Sequence, residues 1–412
     1  MEKQKLKLEE NEMRRIKNLI VEAEINGLSY ARMVAMGKML LIREDLGVEH
    51  MEISKKNRIF WLDIERDFAI FSVVLIHALE SVYKCDLEEW GMLSPRSRFF
   101  RTLNFSLGRL GVPVFLFLSG YILLARAYDN EGAFIKFYKK KLLKLLFAAE
   151  LWIIIYDLFG MFSLKNGITL EILVKNLLFL KPNYMSNMWY MPMILGVYIA
   201  VPFLGVLLPR CGRKVVMVPL TAGILAFFIS PDINRLRSIF GKEQLQFLID
   251  TSFFGGTYGI YLIIGHLEQR KWLERVSDVA ITAVGFVSFA GVMAYQYICY
   301  HKGQSYNVWY NHFPLLVCSV CVFEGIKRYF ANKSRWIFKR SSLIAARISD
   351  YSLSIFFLHA PILSVLSRQF NWESMRRPAV VYIRFIITFM LSYMFASGYK
   401  RMENFLRLWI YN

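Results

Sequence analysis

The chain has 412 residues, 56% of them hydrophobic and 16% aromatic, with a mean hydropathy of +0.36, an apolar share well above that of a soluble domain. Its formal charge of +19 suggests a nucleic-acid binder at first, but the lysines and arginines lie between the apolar runs, as a positive-inside membrane protein requires. The cysteines, Cys85, Cys211, Cys299, Cys318 and Cys321, are odd in number and scattered, which excludes a disulfide framework and leaves the Cys318 to Cys321 pair as packing within an apolar helix.

Residues 1–57 are polar, with charges too widely spread for a signal peptide. They read as a short cytoplasmic helical N-terminal extension, with helices around Lys5–Ala23 and Leu28–Arg43, ahead of a membrane domain over 58–412. About ten transmembrane helices are predicted in that domain by length and hydropathy. They run Ile59–Tyr83, Arg109–Ala127, Leu142–Phe162, Met188–Leu208, Val215–Ser230, Thr251–Leu267, Val276–Tyr300, Trp309–Ile326, Ile348–Leu366 and Ala379–Tyr399. The expected fold is therefore an all-α polytopic integral membrane protein. With the extension inside, KFYKKK, RCGRK, EQRKWLER, KRYFANKSRWIFKR and the tail YKRMENFLR share one side, and both termini are cytoplasmic. The opposite side receives Tyr83–Gly108, Ser163–Asn187 and Pro231–Asp250 as loops. No internal repeat is evident, which weakens an inverted-repeat transporter.

The first span, LDIERDFAIFSVVLIH, begins with Asp63, Arg66 and Asp67 and carries His77 deep inside. Ionisable groups are costly in a bilayer and are rarely kept there without a task. At roughly 100° per residue, Arg66 and His77 fall within ~20° of one face, about 16 Å apart along the axis. His77 is either a satisfied bundle histidine or a general base, since its imidazole titrates near working pH. Glu80, one turn on, orients that ring or faces water. Arg66 forms a helix-surface ion network with Asp63 and Asp67, or guides a polar ligand.

Further motifs follow in order: GVPVFLFLSGYIL with Ser119, Gly120 and Tyr121; FYKKKLLKLL with Lys141 and Lys144 three apart; MWYMPMILGVYIAVPFL around Trp189; and SDYSLSIFFLHAPIL around His359. Together with the Arg66 to His77 spacing, they resemble the acyltransferase 3 family of bacterial membrane acyltransferases. Within it they resemble the branch that includes the enterobacterial common antigen O-acetyltransferase. The resemblance runs from about Asn57 to the C-terminus; Asn187 and Met188 stand where relatives often carry a histidine.

The resemblance implies an O-acetyltransferase of the bacterial inner membrane. It would move an acyl group from cytoplasmic acetyl-CoA to a hydroxyl of a cell-envelope polysaccharide or its lipid-linked precursor, with His77 as base. Lys140, Lys141 and Lys144 then bind the coenzyme's phosphates, although the positive-inside rule accounts for them equally. Ser119, Gly120 and Tyr121 either pack helices or admit the pantetheine arm. Trp189 is an interfacial aromatic or a sugar-stacking surface, and His359 a bundle histidine or a substrate contact. No bound cofactor, metal or nucleic acid is expected, because His301 and His312 lack ligand spacing. A transporter with Arg66, Glu150 and His359 as its polar path is the alternative, as is acylation of a lipid or small molecule.

Overall fold

The computed structural model describes residues 58–163, 168–246, 248, 256–331, 339–369 and 375–410, so the helices expected within 1–57 lie outside the described residues. The chain opens with α1 (Phe60–Glu80), α2 (Leu87–Met92), α3 (Pro95–Gly108) and α4 (Gly111–Leu123). Helix α5 (Glu131–Phe137) continues through a π-helical turn at Tyr138–Leu142 into α6 (Leu143–Ser163), followed by α7 (Leu170–Leu177) and, after a tight turn at Ser186–Trp189, by α8 (Tyr190–Arg210). Helix α9 (Arg213–Ile224) runs through a second π turn into α10 (Ser230–Ile239). The last are α11 (Gly256–Gln269), α12 (Asp278–His301), α13 (Phe313–Ala331), α14 (Lys339–Gln369) and α15 (Arg377–Ile410). Caps set several starts: the Asn130 side chain accepts from Ala133 N at 3.0 Å ahead of α5, and Ser94 caps α3 with proline in its first turn.

Among the described residues, seven helical stretches are long and apolar enough to cross a membrane: Pro95–Leu123, Glu131–Phe162, Ser186–Arg210, Arg213–Ile239, Asp278–His301, Ser342–Gln369 and Arg377–Lys400. The other expected spans are helical too, but α11 has only 14 residues, and α1 and α13 carry several charges each. Those helices are central. Helix α1 packs against α3, α4, α13, α14 and α15, and α4 lies along α11. A helix enclosed by protein can satisfy polar side chains that lipid would reject, whereas only 11% of the apolar window of α12 is buried inside the protein.

One expected loop is corrected. Tyr83–Gly108 contains α2 and α3, and the apolar rod begins at Pro95 rather than Arg109. Its polar residues Arg101, Thr102, Asn104 and Ser106 are buried: Arg101 donates to the Tyr300 hydroxyl at 2.7 Å, and Ser106 accepts from Gln296 at 2.9 Å. Polarity that marks a loop in sequence here marks a helix enclosed by partners.

Glycines allow the central crossing. A Cβ on Gly120 would lie 2.0 Å from the Leu262 carbonyl oxygen, and one on Gly265 2.2 Å from that of Phe117, so α4 and α11 meet backbone to backbone. At one end of the bundle the Trp61 ring lies 5.0 Å from Tyr121 and 5.8 Å from Phe323. The basic loops converge at that end too: Arg270 donates to the Cys211 carbonyl at 2.9 Å, and Lys327 pairs with Glu268 at 2.6 Å.

Gly120→Ala is expected to destabilise the bundle by about 1–3 kcal/mol through overpacking. Gly196→Ala, at a glycine with no atom within 4 Å of the added Cβ, leaves it unchanged. Thermal unfolding of the two variants in detergent checks this, and equal midpoints would refute the close crossing.

Candidate active site

Two of the three π-turn lysines, Lys140 and Lys141, and Lys144 at the start of α6 face a cavity of about 430 Å³, and Arg66 from α1 and Arg126 beyond α4 complete a five-cation lining. π turns insert an extra residue into a helix and are common at functional positions. Ser119 and Phe115 of α4, Tyr190, Ile194 and Tyr198 of α8, and Ser352 and Phe356 of α14 supply the other walls. The three lysines and Arg126 are exposed while Phe356 and Ile194 are buried, so the cations mark the mouth. Among the described residues lining the cavity there is no carboxylate, and such a mouth favours a polyanion.

Arg66 both joins a polar network and lines the cavity. Its guanidinium is 3.6 Å from Asp63 and donates to Ser349 Oγ at 3.2 Å, while Ser349 donates to Asp63 at 2.8 Å; the same arginine lines the cavity. Gly120 and Tyr121 do not line it. Gly120 meets α11, and the Tyr121 ring packs on Trp61, because one helix cannot turn three successive residues toward one space. The expectation that all three admit a ligand therefore narrows to Ser119, whose hydroxyl donates to the Phe115 carbonyl at 3.0 Å.

The buried wall of the cavity leads to the histidines. The Phe356 ring lies 5.3 Å from Tyr190 and 5.8 Å from His359, and the His359 ring lies 5.1 Å from that of His77. His359 is fully buried, its Nδ1 is 3.2 Å from the Ile355 carbonyl, and its Nε2 finds no hydrogen-bond partner among the described residues. His77 Nδ1 is 3.1 Å from Glu80 Oε2, and Glu80 Oε1 is 3.2 Å from Arg109. A carboxylate and a carbonyl only accept, so Nδ1 carries the proton in both rings, and in the neutral form of each ring the lone pair lies on Nε2.

Trp189 does not line the cavity but packs on Tyr190, which does, and belongs to an aromatic cluster. Its ring lies 5.3 Å from Tyr310, 5.1 Å from Trp309 and 6.0 Å from Tyr258, and the Trp309 ring is 4.8 Å from the Arg109 guanidinium. Asn187 is buried and donates to Tyr156 Oη at 3.2 Å and to the Phe356 carbonyl at 3.3 Å, fixing the helix that carries Phe356. Sequence reading missed Arg109, Arg126, Tyr198 and Phe356. Both arginines fall at the ends of the predicted span Arg109–Ala127, and the two aromatics lie inside quoted motifs without a role of their own. The one legible signal was Arg109 between two glycines in GRLG.

With this geometry in place, the comparisons with known proteins are specific. The acyltransferase 3 family pattern, described as an acyltransferase domain, matches residues 59–397. No curated protein and no solved structure matches the chain.

Replacing Lys141 and Lys144 together by glutamine leaves Lys136, Lys139 and Lys140 to satisfy topology. Lost charge-assisted contacts should weaken binding of coenzyme A by about 1–3 kcal/mol, roughly ten- to a hundredfold. Calorimetry with coenzyme A and with pantetheine, which lacks the phosphates, checks this: only the first should weaken. Equal effects on both would assign the lysines to topology alone.

Proposed function

Since its match over residues 59–397 makes this chain a member of the acyltransferase 3 family, a multi-pass membrane acyltransferase, we propose that it transfers acetyl from cytoplasmic acetyl-CoA to a hydroxyl of a cell-envelope polysaccharide or its lipid-linked precursor. The acceptor class follows the resemblance to the enterobacterial common antigen branch. One observation carries the reading: a cavity with five cations at its mouth ends at Phe356, and beyond Phe356 stand two histidines, one of them on a carboxylate.

In the proposed reaction, phosphates of the donor rest among Arg66, Arg126, Lys140, Lys141 and Lys144, while the thioester extends past Ser119 toward Phe356. The acceptor oxygen attacks the thioester carbonyl carbon as His77 Nε2 takes its proton. The tetrahedral adduct collapses, the C–S bond breaks, and the imidazolium returns the proton to the departing thiolate. His77 serves as base in preference to His359 because Glu80 stabilises its imidazolium, whereas the His359 Nδ1 faces only a carbonyl. His359 offers its free Nε2 lone pair to a second hydroxyl of the acceptor, beside the one that reacts, and Trp189 with Trp309 provides a surface on which a sugar ring stacks.

The basic end of the bundle is assigned to the cytoplasm, in a bacterial inner membrane, with both termini on that side. Single cysteines placed near Lys140 and Lys271 should label from the cytoplasm, and those near Arg98 and Lys242 from outside. Outside labelling at the Lys140 turn would reverse the orientation and remove the donor site.

His77→Ala is expected to reduce transfer from labelled acetyl-CoA by about 10²–10⁴-fold, the usual contribution of a general base, with insertion unchanged. Activity within a few fold of wild type would make His77 structural. Mass spectrometry of envelope glycans from cells with and without the gene identifies the acceptor, and an unaltered glycan profile would overturn the acceptor class.

A further inference from the structure

Glu80 is the carboxylate that faces His77, yet its side chain is 32% exposed and could rotate away. Arg109 prevents this. Its NH2 lies 3.2 Å from Glu80 Oε1, leaving Oε2 at 3.1 Å from His77 Nδ1, so each oxygen has its own partner and rotation of the carboxylate breaks both contacts. The other end of the guanidinium donates to Tyr310 Oη at 3.4 Å, and Tyr261 holds the Tyr310 carbonyl at 2.8 Å. Three rings enclose the cation, with Phe105 at 4.7 Å, Trp309 at 4.8 Å and Tyr310 at 5.5 Å from the guanidinium carbon.

The backbone is fixed just as closely. Arg109 and Leu110 form a two-residue break between α3 and α4, flanked by Gly108 and Gly111. A Cβ on Gly108 would lie 2.6 Å from Ile76 Cβ, and one on Gly111 2.6 Å from the Ala69 carbonyl. Gly108 thus presses the break onto α1 one residue from His77, Gly111 seats it two turns earlier, and a side chain at either position would push the break and α1 apart.

We propose that Arg109 is a positioning residue for the transfer reaction: it locks Glu80 so that the carboxylate orients His77 and meets the imidazolium that forms on proton transfer. This rests on the reading of His77 as base. A bare structural tie between α1, α3 and the segment before α13 would need neither both carboxylate oxygens to be engaged nor the break to be docked beside His77.

The test uses the purified full-length protein, with release of free thiol from acetyl-CoA as the readout. Arg109→Met is expected to lower kcat about 30- to 100-fold while the KM for acetyl-CoA stays within about threefold, because the donor's phosphates bind at the opposite end. Combined with Glu80→Gln, it should cost almost nothing more than Glu80→Gln alone, since both variants break one relay. A structural tie predicts losses that multiply. Should Arg109→Met fail to insert, Arg109→Lys keeps the charge but cannot bridge Glu80 and Tyr310. It should lower kcat roughly five- to tenfold, an effect absent in the Glu80→Gln background. Wild-type kcat in the Arg109 variant that inserts, or multiplying losses, would overturn the assignment while leaving the acyltransferase reading intact. No thiol release by the wild type would remove both.

Discussion

A charge inside a membrane bundle has to be neutralised by another side chain, because hydrocarbon offers it nothing. Much of this fold follows from that requirement. Asp63, Asp67, Arg101, Arg109, Glu268 and Glu324 are all buried, and they lie on α1, the α3–α4 rod, α11 and α13, the helices surrounded by other helices. Two of their pairs join elements distant in sequence: Lys327 of α13 reaches Glu268 of α11 at 2.6 Å, and Arg109 reaches Glu80 of α1 at 3.2 Å. Breaking one partner of such a pair strands the other charge, which costs more than the pair itself contributes. The enclosed helices therefore carry fixed polar pairs within an apolar core, and the more exposed apolar helices form the rim.

That arrangement explains why hydropathy read some helices better than others. Rim helices such as α12 carry apolar surface toward lipid, and their spans were legible from length and composition. Helix α1 was legible for another reason: one helical face holds Arg66 and His77, so periodicity alone linked them. The lysine run on the π turn was visible as a charge cluster. Arg126 and Phe356 were not, since they come to the cavity from α4 and α14, and no pattern within one helix reports a meeting between two. Arg109 was misread for a physical reason. An arginine at the edge of an apolar run ordinarily sits at the interface, and only the partners of α3 reveal that the run extends back to Pro95.

The motif at Ser119, Gly120 and Tyr121 shows the same limit at finer scale. Three neighbouring residues on one helix point about 100° apart, and the structure gives each a different surrounding: Ser119 the cavity, Gly120 the backbone of α11, Tyr121 the rings of Trp61 and Phe323. A short motif can thus join a cavity wall, a helix crossing and a core contact. Changing Gly120 disturbs the cavity through Ser119 without any contact of its own.

The separation of the cation mouth from the histidines has an electrostatic consequence. Arg66 and His77 stand about 16 Å apart on α1, where a unit charge acts on the imidazole with roughly 1 kcal/mol at an effective dielectric of 20, against about 4 kcal/mol at contact distance. Cations beside the base would oppose its protonation as the reaction proceeds; at the mouth they can hold an anion while leaving the imidazole to its near neighbours. Those neighbours are Glu80 at 3.1 Å and, behind it, Arg109. The positive charge nearest the base is thus spent on the carboxylate, facing its far oxygen, and what reaches the ring is a fixed acceptor for Nδ1. Phe356 and Tyr190 put aromatic carbon between the mouth and His359, so the field of the mouth and the proton chemistry of the histidine pair act at two ends of one path.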